Sequence, residues 1–444
     1  MVILRWLQNK LKPKGKGQSK KNSKSQFKVS KHDGLDPDAV DIVERLSRAG
    51  FETYLVGGCV RDFLLGSRPK DFDIATSASP QQIKALIKRS TIIGKRFKIV
   101  LARRYNPQRN ADYPYCPSRF LPQKDKEFQI TTFRRKPEMV GDVLNENVFG
   151  TAKDDALRRD FSINALFLNP RTGEIIDFLG GQKDLNSKVI RIIGEPDDRY
   201  TEDPVRLLRA LRFQVRTGFH LSEGDERAFK TCAKHLAGAK KERTREEILK
   251  SFREGYAAPF LKEVRKRDLW QQVNSGYFAD VTAHGALDRV ETLAALSDEN
   301  PWPHPMMMAP FFFVLLHYRV LSGELSDETL QPIALEFRMS NAEKETLVFL
   351  AQNFSRLKKN GSDAQRKIKF LHHLQRSPDK FYTFFYTFRL LALAGAEPYA
   401  QLFRDYEKDL AQISGQMAHR SPSRRGPAGR GRRRPPSRRG PPRP

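Results

Sequence analysis

The chain has 444 residues, 39% hydrophobic and 30% charged, with a formal charge of +28. That length is enough for two or three domains, and the apolar share is that of an ordinary soluble protein. Three cysteines, Cys59, Cys116 and Cys232, lie far apart and form no CxxC pair. This argues against a disulfide scaffold or a zinc site and fits a reducing compartment.

The charge is uneven. Residues 1–32 hold ten Lys and Arg with no acid, and residues 420–444 hold ten Arg with no acid. Between them 60 basic residues stand against 52 acidic ones, a mildly basic body of net +8. Acid-free basic arms bind polyanions, with counterions released at each phosphate contact, so nucleic acid is favoured over a plain solubility role. The Arg- and Pro-rich segment 416–444 has almost nothing apolar and is expected to be disordered, as is the basic arm 1–32. The opening "MVILRWLQNK" has too short an apolar run for a signal peptide, and no stretch approaches a membrane span. A cytoplasmic protein is expected; a weak surface contact with a membrane through the N-terminal lysines stays open.

In chain order, "DPDAVDIVERLSRAG" (36–50) places Val40, Ile42, Val43 and Leu46 at helical spacing and ends at a glycine. "FETYLVGG" reads as a strand into a turn, "CVRDFLLG" as a short helix closed by Gly66, and "KDFDIAT" as a second strand. "SPQQIKALIKR" is a helix with Ser79 as N-cap and Pro80 at its first position. "TIIGKRFKIVLARRY" and "EFQITTFRR" each supply a strand, separated by a Pro-rich loop at 106–126. "SINALFLNPRTGEIIDFLG" is a hairpin turning at Arg171-Thr172-Gly173. After about residue 186 the strand signals fade. Helical patterns follow, among them "EDPVRLLRALRFQVRT", "ERTREEILKSFREGY", "PFLKEVRKRDLWQQV", "APFFFVLLHYRVL" and "DKFYTFFYTFRLLALAGA". The expected fold class is α+β: an α/β head at 33–185 with a small mixed sheet, a helical neck at 186–260 and a helical body at 261–415.

The chemistry concentrates in "LVGGCVRDFLLGSRPKDFDIAT". Strand alternation points Asp71 and Asp73 to one face and Phe72 to the other. Two carboxylates about 7 Å apart can share hard divalent cations, the arrangement of phosphoryl and nucleotidyl transfer. Upstream, Gly57 and Gly58 let backbone approach a phosphate, and the helix start that follows offers free amides, with Arg61 in its first turn. One half suits phosphates and the other suits metals. A third acid is expected to complete such a site: Asp160 in "RRDFSINAL", with Arg158 and Arg159 beside it, or Glu127, which shares a strand face with Gln129.

In "TEDPVRLLRALRF", Asp203 before Pro204 reads as an N-cap, and Arg206 and Arg209 share a helix face. An acid beside an arginine can read a base. The acid accepts from the amino group of adenine or cytosine and the arginine donates to the ring nitrogen, a pattern that guanine and uracil invert.

Together "LVGGCVRDFLLGSRPKDFDIAT", "RRDFSINALF", "GGQKDL", "EDPVRLLRALRF" and "ERTREEILK", in this order across roughly residues 51–250, resemble the class II nucleotidyltransferase superfamily of bacterial poly(A) polymerases and CCA-adding enzymes. The resemblance implies a nucleotidyltransferase head with Mg2+, or Mn2+ in its place, at Asp71 and Asp73, and Asp160 as the completing acid. It implies that Gly57, Gly58, Arg61 and Arg159 meet the triphosphate or sugar of ATP, and that Glu202, Asp203, Arg206 and Arg209 meet the base. The expected activity is template-independent polyadenylation of RNA 3′ ends, with AMP passing from ATP to the 3′ hydroxyl and pyrophosphate leaving, in the setting of RNA decay.

"TIIGKRFKIV" resembles the basic Gly-to-Phe signature of poly(A) polymerases, and the tails fit that branch. CCA addition to tRNA is the alternative, and a non-catalytic RNA-binding adaptor is an alternative of another class. Gln129 stands where many relatives carry Glu, which leaves the third acid to Glu127 or Asp160. A monomer with no DNA partner is expected.

Overall fold

The computed structural model describes residues 34–69, 71–94, 98–105, 125–135, 138–140, 143–145 and 149–273. Farther along it describes 291, 294–295, 331, 334–335, 338–360, 363–375, 378–393, 399–407 and 409. Both basic arms, nearly all of the Pro-rich loop and the "APFFFVLLHYRVL" pattern lie outside the described residues.

Helix α1 (Pro37–Arg48) starts where the Asp36 side chain accepts from the Asp38 amide, and it buries one apolar stripe, Ala39, Val40, Ile42, Val43 and Leu46. Strand β1 (Thr53–Val56), helix α2 (Gly58–Leu64), strand β2 (Asp73–Thr76) and helix α3 (Pro80–Leu86) follow. Ser79 and Gln82 close a full capping box at the start of α3. Strands β3 (Ser90–Ile93) and β4 (Ile99–Tyr105) replace the single strand expected from "TIIGKRFKIVLARRY", because the chain leaves β3 at Gly94 with φ +86° and β4 returns antiparallel. Then come β5 (Asp125–Thr132), a small ribbon of β6 (Glu138–Val140) and β7 (Val143–Asn145), and α4 (Ala152–Leu157). A 3-10 turn (Ser162–Asn164) leads into the hairpin of β8 (Leu166–Asn169) and β9 (Glu174–Asp177).

Seven strands form one mixed sheet in the order β3-β4-β5-β2-β1-β8-β9, and β2 with β5 is its one parallel pair. The DxD strand therefore lies inside the sheet, flanked by β1 and β5.

The helical part holds α5 (Gly181–Ser187), α6 (Pro196–Glu202), α7 (Val205–Thr217), α8 (Glu223–Cys232), α9 (Lys241–Glu254), α10 (Ala257–Lys266) and α11 (Trp270–Val273). Farther on are α12 (Asn341–Asn360), α13 (Ala364–Gln375) and α14 (Pro378–Leu393). Two short strands that the sequence pattern does not reveal, β10 (Val189–Ile190) and β11 (His220–Leu221), pair in parallel and clasp the two ends of the α6–α7 segment. The fold is α+β, as expected. One contiguous apolar core runs from α1 and the sheet through Leu207, Leu208 and Leu211 of α7 to the aromatic rings of the distal helices, Phe354, Phe384 and Phe388.

Candidate active site

Alternation sets the first feature: Asp71 and Asp73 are exposed while Phe72 between them is buried at 7% exposure, with β2 itself beginning at Asp73 and Asp71 standing just before it. Asp73 pairs in register with Val56 of β1 on one side and Gln129 of β5 on the other. Since Gly57 follows Val56, the two-glycine turn sits immediately beside the first carboxylate of β2. Gly57 has φ +77° and ψ −133°, a conformation open essentially to glycine alone. A Cβ there would stand 3.1 Å from Nη1 of Arg159. The open backbone thus belongs next to the carboxylates, as the motif spacing suggested.

Protein crowds Asp73 on most sides although its carboxylate reaches solvent. That desolvation raises its pKa, Arg159 draws it back, and Asp71 pushes it up again. A site that holds a carboxylate at such a cost suits a cation, and the donor set here is oxygen only, which fits Mg2+ bound through two carboxylates and substrate phosphates. Among the described residues no cluster of three His, Cys, Asp or Glu side chains could hold a metal by itself. The third neighbour of this corner is Gln129, exposed and in register with Asp73. Glu127, one step back on the same strand face, pairs with Nε of Arg103 at 3.0 Å.

Asp160 is placed differently from the expectation of a third metal ligand. Its Oδ1 accepts from the Phe161 amide (2.8 Å) and from Asn164 Nδ2 (3.3 Å). Its Oδ2 accepts from Arg209 Nη2 (2.6 Å) and Nε (3.0 Å). Burial pushes its pKa up, but Arg209 and these donors outweigh burial and hold it at about 2. With four donors, a carboxylate has no free lone pair for a metal. Asp160 thus ties the α/β part to α7.

Arg61 also departs from expectation. Its side chain is 1% exposed, with Nε and Nη2 on Asp62 (2.9 and 2.7 Å), Nη1 on Asn164 Oδ1 (2.6 Å) and its plane over the Phe213 ring. A guanidinium so enclosed and committed braces α2 against the 3-10 turn and α7 rather than reaching a phosphate. Arg159 stays near the site: its charge acts on Asp73, and it is held by Asp155 (2.9 Å) and the Asn164 carbonyl (3.3 Å). Fully buried Asp155 also carries Arg158. Asp155 is absent from the expected set, yet Arg158 and Arg159 at i+3 and i+4 are the signal that marks it.

Where a base-reading corner is expected, Asp203 is not an N-cap; α7 starts at Val205 without a side-chain cap. Asp203 turns instead to Arg243 (2.7 Å) and lies 3.8 Å from Arg206. Glu202, Asp203 and Arg206 are together, as the sequence suggested. Arg209 is not with them: it joins Asp160 to Glu247 (2.8 Å). From there a ladder of alternating charge runs through Arg212 (2.9 Å to Glu247), Glu254 (2.9 Å to Arg212) and Arg216 (3.3 Å to Glu254) to Asp62 (2.6 Å to Arg216).

The motifs and this geometry can be set beside known proteins. Residues 53–191 match the Poly A polymerase head domain, and residues 218–278 match a family described as a probable RNA and SrmB-binding site of polymerase A. Residues 53–191 are thus similar to a poly(A) polymerase head domain. Poly(A) polymerase I of Haemophilus influenzae is 33% identical over 319 residues, 67% of this chain and 66% of the relative. Poly(A) polymerase I of Salmonella typhimurium is 31% identical over 316 residues, 71% of this chain and 66% of the relative. The match thus spans just under two thirds of these relatives' own length. A CCA-adding enzyme of Lactobacillus delbrueckii is 37% identical over 220 residues, 48% of this chain and 49% of the relative. Among solved structures, the Bacillus stearothermophilus CCA-adding enzyme in complex with CTP superposes with a TM-score of 0.56 at 23% identity, over 84% of this chain and 83% of that one. That likeness is one of fold.

Proposed function

We propose that the chain is a template-independent polynucleotide adenylyltransferase that extends RNA 3′ ends, with 33–185 as catalytic head, 186–260 as neck and 261–415 as an RNA-binding body. One observation carries the reading: Asp73 opens an interior strand beside the Gly57–Gly58 turn, with Asp71 just before it and a positioned arginine, Arg159, both acting on the same corner. Asp71 and Asp73 would hold Mg2+, which supplies charge neutralisation for a triphosphate and activation of a hydroxyl. The first-turn amides of α2 would face phosphate oxygens, and Arg159 would add a cation to them. The RNA 3′ hydroxyl would displace pyrophosphate at the α-phosphate of ATP, with Asp203 and Arg206 accepting adenine by its amino group and ring nitrogen. The cytoplasm is the setting this reading requires.

CCA addition to tRNA is a second reading, favoured by the 37%-identical relative of that name and by a base-reading pair that treats A and C alike. A gel extension assay separates the two, using a generic 3′-hydroxyl RNA and a tRNA lacking its CCA end, with ATP, CTP or both. Long ladders from ATP on the generic RNA support polyadenylation. A three-nucleotide stop that needs CTP moves the chain to the other branch. Absence of extension on both RNAs overturns catalysis and leaves an RNA-binding adaptor, with Gln129 beside Asp73 as its reason.

A further inference from the structure

Arg199, in the last turn of α6, fastens the Glu202–Arg206 corner to the Arg158–Asp160 loop. Its side chain is 9% exposed. Nη1 donates to Glu202 Oε2 at 2.5 Å, and Nη2 donates to the backbone carbonyls of Arg159 (3.0 Å) and Arg158 (3.4 Å). The carbonyl of Arg199 accepts from Arg206 Nη1 at 2.7 Å, and that same Nη1 donates to Glu202 Oε2 at 2.8 Å. Both acceptors of Arg206 Nη1 are therefore fixed by Arg199, one through its backbone and one through its guanidinium. Glu202 is 59% exposed, and its Oε2 is the acceptor that the two arginines share, so the Arg199 guanidinium narrows the rotamers in which it meets Arg206.

Two details show how specifically the side chain is seated. Gly194, at φ +95°, gives it room: a Cβ there would come within 3.4 Å of Arg199 Cγ and Cδ. Among the described residues Nε is buried without a hydrogen-bond partner.

We infer that Arg199 is a positioning residue for nucleotide selection, setting Arg206 and Glu202 in register with the Arg158–Asp160 loop so that a base reaches the reading pair only in one pose. This rests on the reading that Asp203 and Arg206 face the incoming base. It assigns Arg199 no contact with the nucleotide.

The test is single-nucleotide incorporation by the full chain on one RNA oligomer, with ATP, CTP, GTP and UTP each alone. Wild type is compared with Arg199→Ala, Arg199→Lys, Glu202→Gln and Arg206→Ala. Arg199→Ala is expected to lower the ATP-to-GTP ratio of kcat/KM by at least about tenfold, about 1.4 kcal/mol of discrimination. Arg199→Lys should recover part of it, because an ammonium can hold Glu202 but cannot also fork onto two carbonyls. Glu202→Gln, at an exposed position where folding is not at stake, should relax the ratio in the same direction. A purely structural role would lower all four nucleotides in proportion, and an unchanged ratio in both Arg199→Ala and Glu202→Gln overturns the inference. If Arg206→Ala also keeps the wild-type ratio, the base-reading assignment itself has failed. If Arg206→Ala relaxes the ratio while the other two do not, only the role of Arg199 has failed. Should Arg199→Ala fail to fold, Arg199→Lys and Glu202→Gln decide on the same ratio.

Discussion

Replacing Asp160 by Asn distinguishes a brace from a metal ligand. The side chain keeps its shape and one acceptor but loses the charge that faces Arg209. The drop in pKa from 3.8 to about 2 corresponds, at about 1.36 kcal/mol per pH unit, to about 2.4 kcal/mol of native stability at neutral pH. Because the folded value lies below the unfolded one, that contribution is complete above the unfolded pKa of about 3.9 and is lost as pH falls toward 2. Asp160→Asn should therefore lower Tm by roughly 5–10 °C in metal-free buffer at pH 7, taking about 2–4 °C per kcal/mol for a unit of this size. The gap to wild type should close as pH is lowered from about 5 toward 2. Circular dichroism melts with chelator present suffice. An unpaired carboxylate held near Asp71 and Asp73 would behave oppositely, since removing its charge relieves repulsion in the metal-free protein. An unchanged or raised Tm for Asp160→Asn would therefore refute the brace and restore Asp160 to the metal site.

Three further outcomes are expected. Asp73→Asn should abolish detectable RNA extension while leaving RNA affinity, measured by filter binding, within about twofold of wild type. Gln129→Glu places a third carboxylate in register with Asp73 and should lower the Mg2+ concentration for half-maximal extension by about tenfold in a titration. Gly57→Ala forces a side chain into a glycine-only conformation against Arg159 and should cost about 1–3 kcal/mol, read as a lowered urea midpoint with unchanged slope.

The parts that the sequence disclosed are those whose cause is local. Ser79 caps α3, Gly66 turns the chain at φ +72° just past α2, and two-residue alternation alone exposes Asp71 and Asp73 around a buried Phe72. What it concealed depends on residues far away in the chain. Arg209 looked like a base reader because Glu247 and Asp160 lie 38 and 49 positions away, and nothing near it shows that its charge is already taken. Arg61 is different: Asp62, which takes its charge, is its neighbour in the motif, and only its enclosure by Asn164, 103 positions on, was hidden. The β10–β11 pair was hidden for a related reason, since two residues cannot display a period.

The charge ladder also restricts how the two parts of the molecule can move. Arg209, Arg212 and Arg216 line one side of α7, meeting Glu247 and Glu254, seven positions apart on α9, with Asp160 and Asp62 of the α/β part at the two ends. A slide of α7 by one turn would carry a guanidinium past its carboxylate and strand an acid at one end. A small pivot about the column, in contrast, stretches every rung a little and breaks none. The column therefore behaves like a keyed axle, free to turn through a few degrees and barred from translation. Any movement of the helices against the sheet would be a rotation whose axis the arginines have already drawn.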